Sequence, residues 1–290
     1  MDLTKDFIKT KQPCANGFRW FLRHHQDGSN YQDLLDALVN AGRVSDACWL
    51  LDQFGPTNET LILDHLSADA IVFAGSLRVR GNIDVDSVVR VGRRIDVGGS
   101  IVVGESLVSG DDIRCGGNIR SNGRLESGGR LKAGWGIEAN GDITAKEDLQ
   151  AAWDVRCAGH LRMGGQASVG QDISVQGSIT CTKSLVCGGS LASTASVLAN
   201  EGISVGLNID CGMHLEAGWG IKAGGAVEAR GAIRAGESLG TFRTIRAGVG
   251  YGVFAGLNVQ MEAWEASARV CASQKPDSLM SGWWAGARDV

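Results

Sequence analysis

The chain of 290 residues holds 42 glycines and three prolines, with 43% hydrophobic and 21% charged residues. So much glycine without a strict Gly-X-Y period excludes collagen, and the even spread of Val, Ile, Leu and Ala excludes Gly-rich disorder. A net charge of -4 does not call for a nucleic-acid or anionic-membrane partner; no apolar run reaches a membrane span, and Met1 to Pro13 lacks an apolar signal-peptide core.

Residues 1–65 read as an α-helical N-terminal cap. Phe7, Phe18, Trp20 and Phe21 lie in two short amphipathic stretches on either side of Pro13. Ser29-Asn30 offers an N-cap to YQDLLDALVNAG, where Leu34, Leu35 and Leu38 form a stripe and Gly42 a stop. Ser45 can cap a further helix carrying Ala47, Trp49, Leu50, Leu51 and Phe54, ended by Gly55-Pro56. Helices this short need a partner for their apolar faces, and the open end of the next segment is the nearest one.

That segment, residues 66–260, is built on hexads such as GSLRVR, GNIDVD, GSIVVG, GNIRSN and GDITAK. Ile71, Leu77, Ile83, Val89 and Ile95 begin an aliphatic column that recurs every six residues to Ile245, with Ala167 its one unbranched member. Two residues later runs a column from Phe73, Val79 and Val85 through Ser, Cys, Ala or Met to Ala247, with no charge in it. Arg78, Asp84, Arg90, Asp96, Arg114 and Glu126 stand between the two. Apolar, polar, small over three residues is a short strand with two side chains inward and one outward. The Gly, Asn, Asp and Ser that follow make a corner needing positive φ or little bulk. Three such sides close a triangular coil of about 18 residues, and about ten coils form a parallel β-helix, or β-solenoid, roughly 50 Å long.

The units GNIDVD, GNIRSN, GDITAK and GSITCT resemble those of the bactofilins, polymer-forming cytoskeletal proteins. The resemblance covers roughly two thirds of the chain. It implies a right-handed helix and end-to-end self-association. Bactofilins carry short disordered tails, whereas both flanks here read as structured. In residues 261–290 the stretch MEAWEASARVCAS predicts a short helical C-terminal cap, followed by Pro276 and a tail with Trp283-Trp284. Capped ends keep a solenoid soluble, because open coils are sheet edges.

Cys115, Cys157, Cys181, Cys187 and Cys211 fall in the second inward column and read as buried free thiols, which suits a reducing, cytoplasmic setting. Cys14, Cys48, His24 and His25 lack metal-site spacing, and His160 and His214 read as solvated corner residues. No nucleophile, general base, cofactor cradle or metal cage emerges, so neither an enzyme nor a cofactor is expected. Tryptophan is the exception. Trp135 and Trp153 replace the usual corner residue and, being 18 apart, belong one above the other; Trp219 holds the equivalent place on another edge. Val186, Ala192 and Leu198 make all outward positions of one coil apolar. Trp135, Trp153, Trp219, Val186, Leu198, Trp283 and Trp284 are therefore candidate partner-binding residues, with gap-covering as the alternative. Two functions follow: a non-catalytic solenoid that binds another protein (adaptor, scaffold or toxin-neutralising immunity protein), or a bactofilin-like filament subunit.

Overall fold

Alternation of inward, outward and inward side chains governs the strands of the rod, and each strand inside it pairs in parallel with its equivalents one turn before and one turn after. Ile101, for example, pairs with Ile83 and with Ile119. A computed structural model describes residues 2–25 and 29–287, without the side chains of Asp2 and Phe7. Three parallel sheets of 13, 11 and 12 strands enclose a triangular core. The first face begins at Thr60–Leu63, the second at Leu66–Ala68 and the third at Ile71–Phe73. Inward residues such as Leu125, Ile143 and Leu215 are 0% exposed.

The solenoid is longer than the aliphatic column suggests, with 13 strands on its first face in place of about ten coils. Thr60–Leu63 and Leu66–Ala68 precede the column, the former inside the segment expected to be helical. Val253–Phe254, Arg269–Cys271, Leu279–Ser281 and Trp283–Gly286 follow it. The connections between these last strands are irregular, from the single residue Gly282 to residues 255–268, so a six-residue count no longer detects them. The C-terminal helical cap is correspondingly reduced to a 3-10 turn at Met261–Ala263 and a single helical turn at Trp264–Ser267. The next residues pair with Leu239–Thr241 instead, burying Val270 and Ala272. An open strand edge gives these residues a complete set of backbone partners, which an isolated short helix does not.

Of the two grounds expected for the corner glycines, positive φ and little bulk, the second applies. None between Gly75 and Gly248 has a left-handed φ; they allow close stacking, and a Cβ on Gly110 would lie 2.0 Å from the Gly92 carbonyl oxygen.

Four helices, α1 (Lys5–Thr10), α2 (Ala15–His24), α3 (Tyr31–Asn40) and α4 (Val44–Phe54), form the N-terminal lobe. The Asn30 side chain caps α3 by accepting the Gln32 N–H at 3.0 Å, whereas α4 starts ahead of Ser45 and has no side-chain cap. Phe21, Leu34, Leu35, Leu38, Leu50 and Leu51 share a core with Val72 and Ala74. The lobe thus packs on the flank of the third face. Asp52 reaches Arg90 one turn further along, at 2.6 Å. Over the end of that face Gln32 does the work of a missing strand: its carboxamide donates to the Val72 carbonyl and accepts the Ala74 N–H, both at 3.0 Å. Among the described residues, no helix is long and apolar enough to cross a membrane.

Candidate recognition surface

Corner residues divide into two kinds. Those just before a strand point a side-chain acceptor at the backbone one turn ahead. Asn82 Oδ1 accepts the Ser100 N–H at 2.8 Å, Asn118 Oδ1 the Gly136 N–H at 3.0 Å and Asp172 Oδ1 the Ser190 N–H at 2.7 Å. His160 and His214 belong to this ladder, their Nδ1 atoms accepting the Ser178 and Ala232 N–H groups at 3.1 Å each. The inward column has its own ladder. Cys115 and Cys187 donate their thiols to the Gly99 and Gln171 carbonyls at 3.0 and 2.8 Å, as the Ser127 and Ser193 hydroxyls do to Asp111 and Gly177 at 3.0 and 2.8 Å. Burial pushes these thiols up, Cys187 to about 11, so they stay protonated and inert near neutrality. Among the described residues no three His, Cys, Asp or Glu side chains are placed to hold a metal.

Residues in the middle of a corner point away from the rod. On the edge between the first and second faces the backbone passes from Gly117 to Trp135, Trp153 and Gln171 through N–H···O=C bonds of 3.2 to 3.3 Å. This ladder sets the two indoles one above the other, with ring centroids 5.6 Å apart and planes 12° from parallel. They are 53% and 58% exposed. Gly81, Gly99 and Gly117 leave bare backbone on one side of the pair, and exposed Leu207 continues the same column three turns beyond Trp153. The chain spacing of 18 could have located Leu207 too, since a leucine at a corner position is as displaced as a tryptophan.

Each of the two faces that meet at this edge carries a shallow groove, and Trp153 lines the one on the second face. The second-face groove, about 440 Å³, runs past Val102 and the ion pairs Arg120–Glu138 and Arg156–Asp154, at 2.8 and 2.7 Å. The first-face groove, about 800 Å³, runs past Arg78, Asp96, Arg114, Lys132 and Gln150. Arg114 pairs with Asp112 at 2.9 Å, and burial of Asp112 is outweighed by the Arg130 N–H and the Arg114 guanidinium, which hold its carboxyl below the ordinary range. The surface therefore offers aromatic area beside locally neutralised charge.

The other candidates are dispersed. Trp219 is exposed on the edge between the third and first faces, bonded through its backbone between Glu201 and Glu237. Val186 and Leu198 stand on different faces, 37% and 38% exposed. At the C-terminal end Trp283 is exposed, whereas Trp284 is half-buried and packs against the end of the core. Only Trp135 and Trp153 come together.

The lobe holds a cavity of about 160 Å³ lined by Ile8, Phe18, Phe21, Leu34, Leu38 and Leu50, with Trp20 and Trp49 at its border. No curated protein and no solved structure matches the chain. Residues 1–55, which cover this lobe, match the model of the YdhT N-terminal domain family.

Proposed function

We propose that the chain is a non-catalytic β-solenoid that acts by binding another protein, as an adaptor, scaffold or toxin-neutralising immunity protein, without a cofactor. The stacked Trp135–Trp153 pair carries this reading: two large apolar rings, each more than half exposed, displace the glycine or polar residue usual at a corner. Covering the remaining exposed area of one indole is worth about 2 kcal/mol, enough for an anchor but not for the stability of the rod. Support for a non-catalytic role comes from the histidines and inward cysteines, whose hydrogen-bonding atoms serve the backbone. The bactofilin-like filament needs two open ends, and the half-buried Trp284 covers part of the core at the C-terminal one.

Affinity capture from the native cell with mass spectrometry tests the reading. Trp135→Ala with Trp153→Ala should lose the captured protein while leaving the thermal melt unchanged. Undiminished capture would return both rings to a packing role, and filaments of the full-length protein in negative stain would favour the bactofilin-like alternative.

A further inference from the structure

The N-terminal end of the solenoid is only one-third closed. In every turn the outward residue of a strand directs its N–H and C=O to the preceding turn; the flanking bonds Ser76 N–H to Glu59 O and Arg80 N–H to Leu63 O, at 2.8 and 3.0 Å, show the direction. Among the described residues no strand precedes the first turn. Gln32 fills the gap on the third face, but among the described residues no strand pairs with the outer edge of Thr60–Leu63 or Leu66–Ala68. The peptide groups of Ile62 and Ser67 thus face outward from the end of the rod. Beneath them Leu61, Leu63, Leu66, Ala68 and Ile71 are half-buried, unlike the fully buried inward residues of later turns. The three corners of this turn carry exposed Glu59, Asp64 and Asp69, and residues 57–71 contain no Lys or Arg. Arg80 of the next turn balances Asp64 alone, at 2.8 Å.

We infer that this end binds an extended, cationic segment of a partner protein, which adds as a strand to Thr60–Leu63. The unpaired backbone specifies an extended chain, the half-buried leucines specify alternate apolar side chains, and the acidic corners specify lysine or arginine between them. A second copy docking N-terminal end to N-terminal end would set the same acidic corners against each other, at a cost in repulsion. The inference rests on the partner-binding reading but uses a surface separate from Trp135 and Trp153, so failure of the tryptophan surface and failure of the strand edge are read in different experiments.

The probe is a short fluorescein-labelled peptide alternating valine with lysine, followed by anisotropy on the full-length protein. Saturable binding is expected, weakened at least about tenfold by Ile62→Pro and by the pair Glu59→Lys and Asp69→Lys. Ile62→Pro removes an N–H that makes no ladder bond, so its melt should match the parent. A peptide alternating valine with glutamate should not bind. The inference is overturned if the parent fails to bind, if Ile62→Pro binds equally, or if the glutamate peptide binds as well. It is also overturned by a dimer in light scattering that Ile62→Pro abolishes, which would give the edge to a second copy.

Discussion

At the scale of single residues, a polar corner side chain in this rod is a backbone acceptor, and its charge state feeds directly into stability. Asp142 accepts the His160 N–H and pairs with Arg162, each at 2.8 Å. The His160 bond first, then the Arg162 guanidinium, holds its pKa below the ordinary 3.8 against the opposing effect of burial. A lowered carboxyl contributes stability that is complete above the ordinary value and is lost as the pH falls through the lowered one. Asp142→Asn keeps an acceptor for His160 but cannot titrate. Urea denaturation at neutral pH and at pH near 3 should therefore show a smaller acid loss for the variant; an equal loss would remove Asp142 from the acid response. The inward residues were legible in the sequence because packing forces a period on them. The acceptor role of Asp142, His160 or Asn118 was not, since the partner lies a full turn away and a polar corner looks the same whether solvated or bonded.

Among elements, the junction of lobe and rod turns on one side chain. Gln32 supplies both a donor and an acceptor to the edge of Ile71–Phe73, where a neighbouring strand would supply a peptide group. Gln32→Ala leaves the Val72 carbonyl and the Ala74 N–H without these partners and should destabilise lobe docking by about 1–3 kcal/mol. Hydrogen exchange is the measurement: the Ala74 amide should lose protection while amides of later turns keep theirs. Unchanged exchange at Ala74 would mean that packing against Val72 suffices. The stripe of Leu34, Leu35 and Leu38 announces α3 and its need for an apolar partner, which the sequence reading places at the open end of the rod and the structure at Val72 and Ala74. That the partner is a flank was hidden, because Gln32 beside Asp33 and Asp36 reads as a solvent-facing helix residue. The C-terminal strands were hidden for a different reason. Arg269–Cys271 becomes a strand only because Leu239–Thr241 leaves an edge to complete, a tertiary effect that local sequence does not carry.

For the whole molecule, register is the organising quantity. Each turn meets only its neighbours, so removing one complete turn leaves all other contacts equivalent. Deleting residues 155–172 should give a protein that still unfolds in a single cooperative transition. Deleting residues 155–163 instead brings strands opposite corners and should abolish that transition in a circular-dichroism melt. Two cooperative melts of similar midpoint would show that the lobe and not the register dominates stability. The dispersion of Trp219, Val186 and Leu198 over separate edges and faces follows from the same arithmetic, whereas Trp135 and Trp153 share a column because they differ by one turn.

The uninterrupted ladder also turns residue numbers into addresses. Two outward side chains that differ by whole turns lie on one line along the rod, about 4.8 Å apart per turn; other differences rotate the position to a neighbouring side. Trp153 and Leu207 are accordingly three steps apart on a shared line. A binding motif could be transplanted along this lattice, or the distance between two motifs set, by choosing positions from the numbering alone.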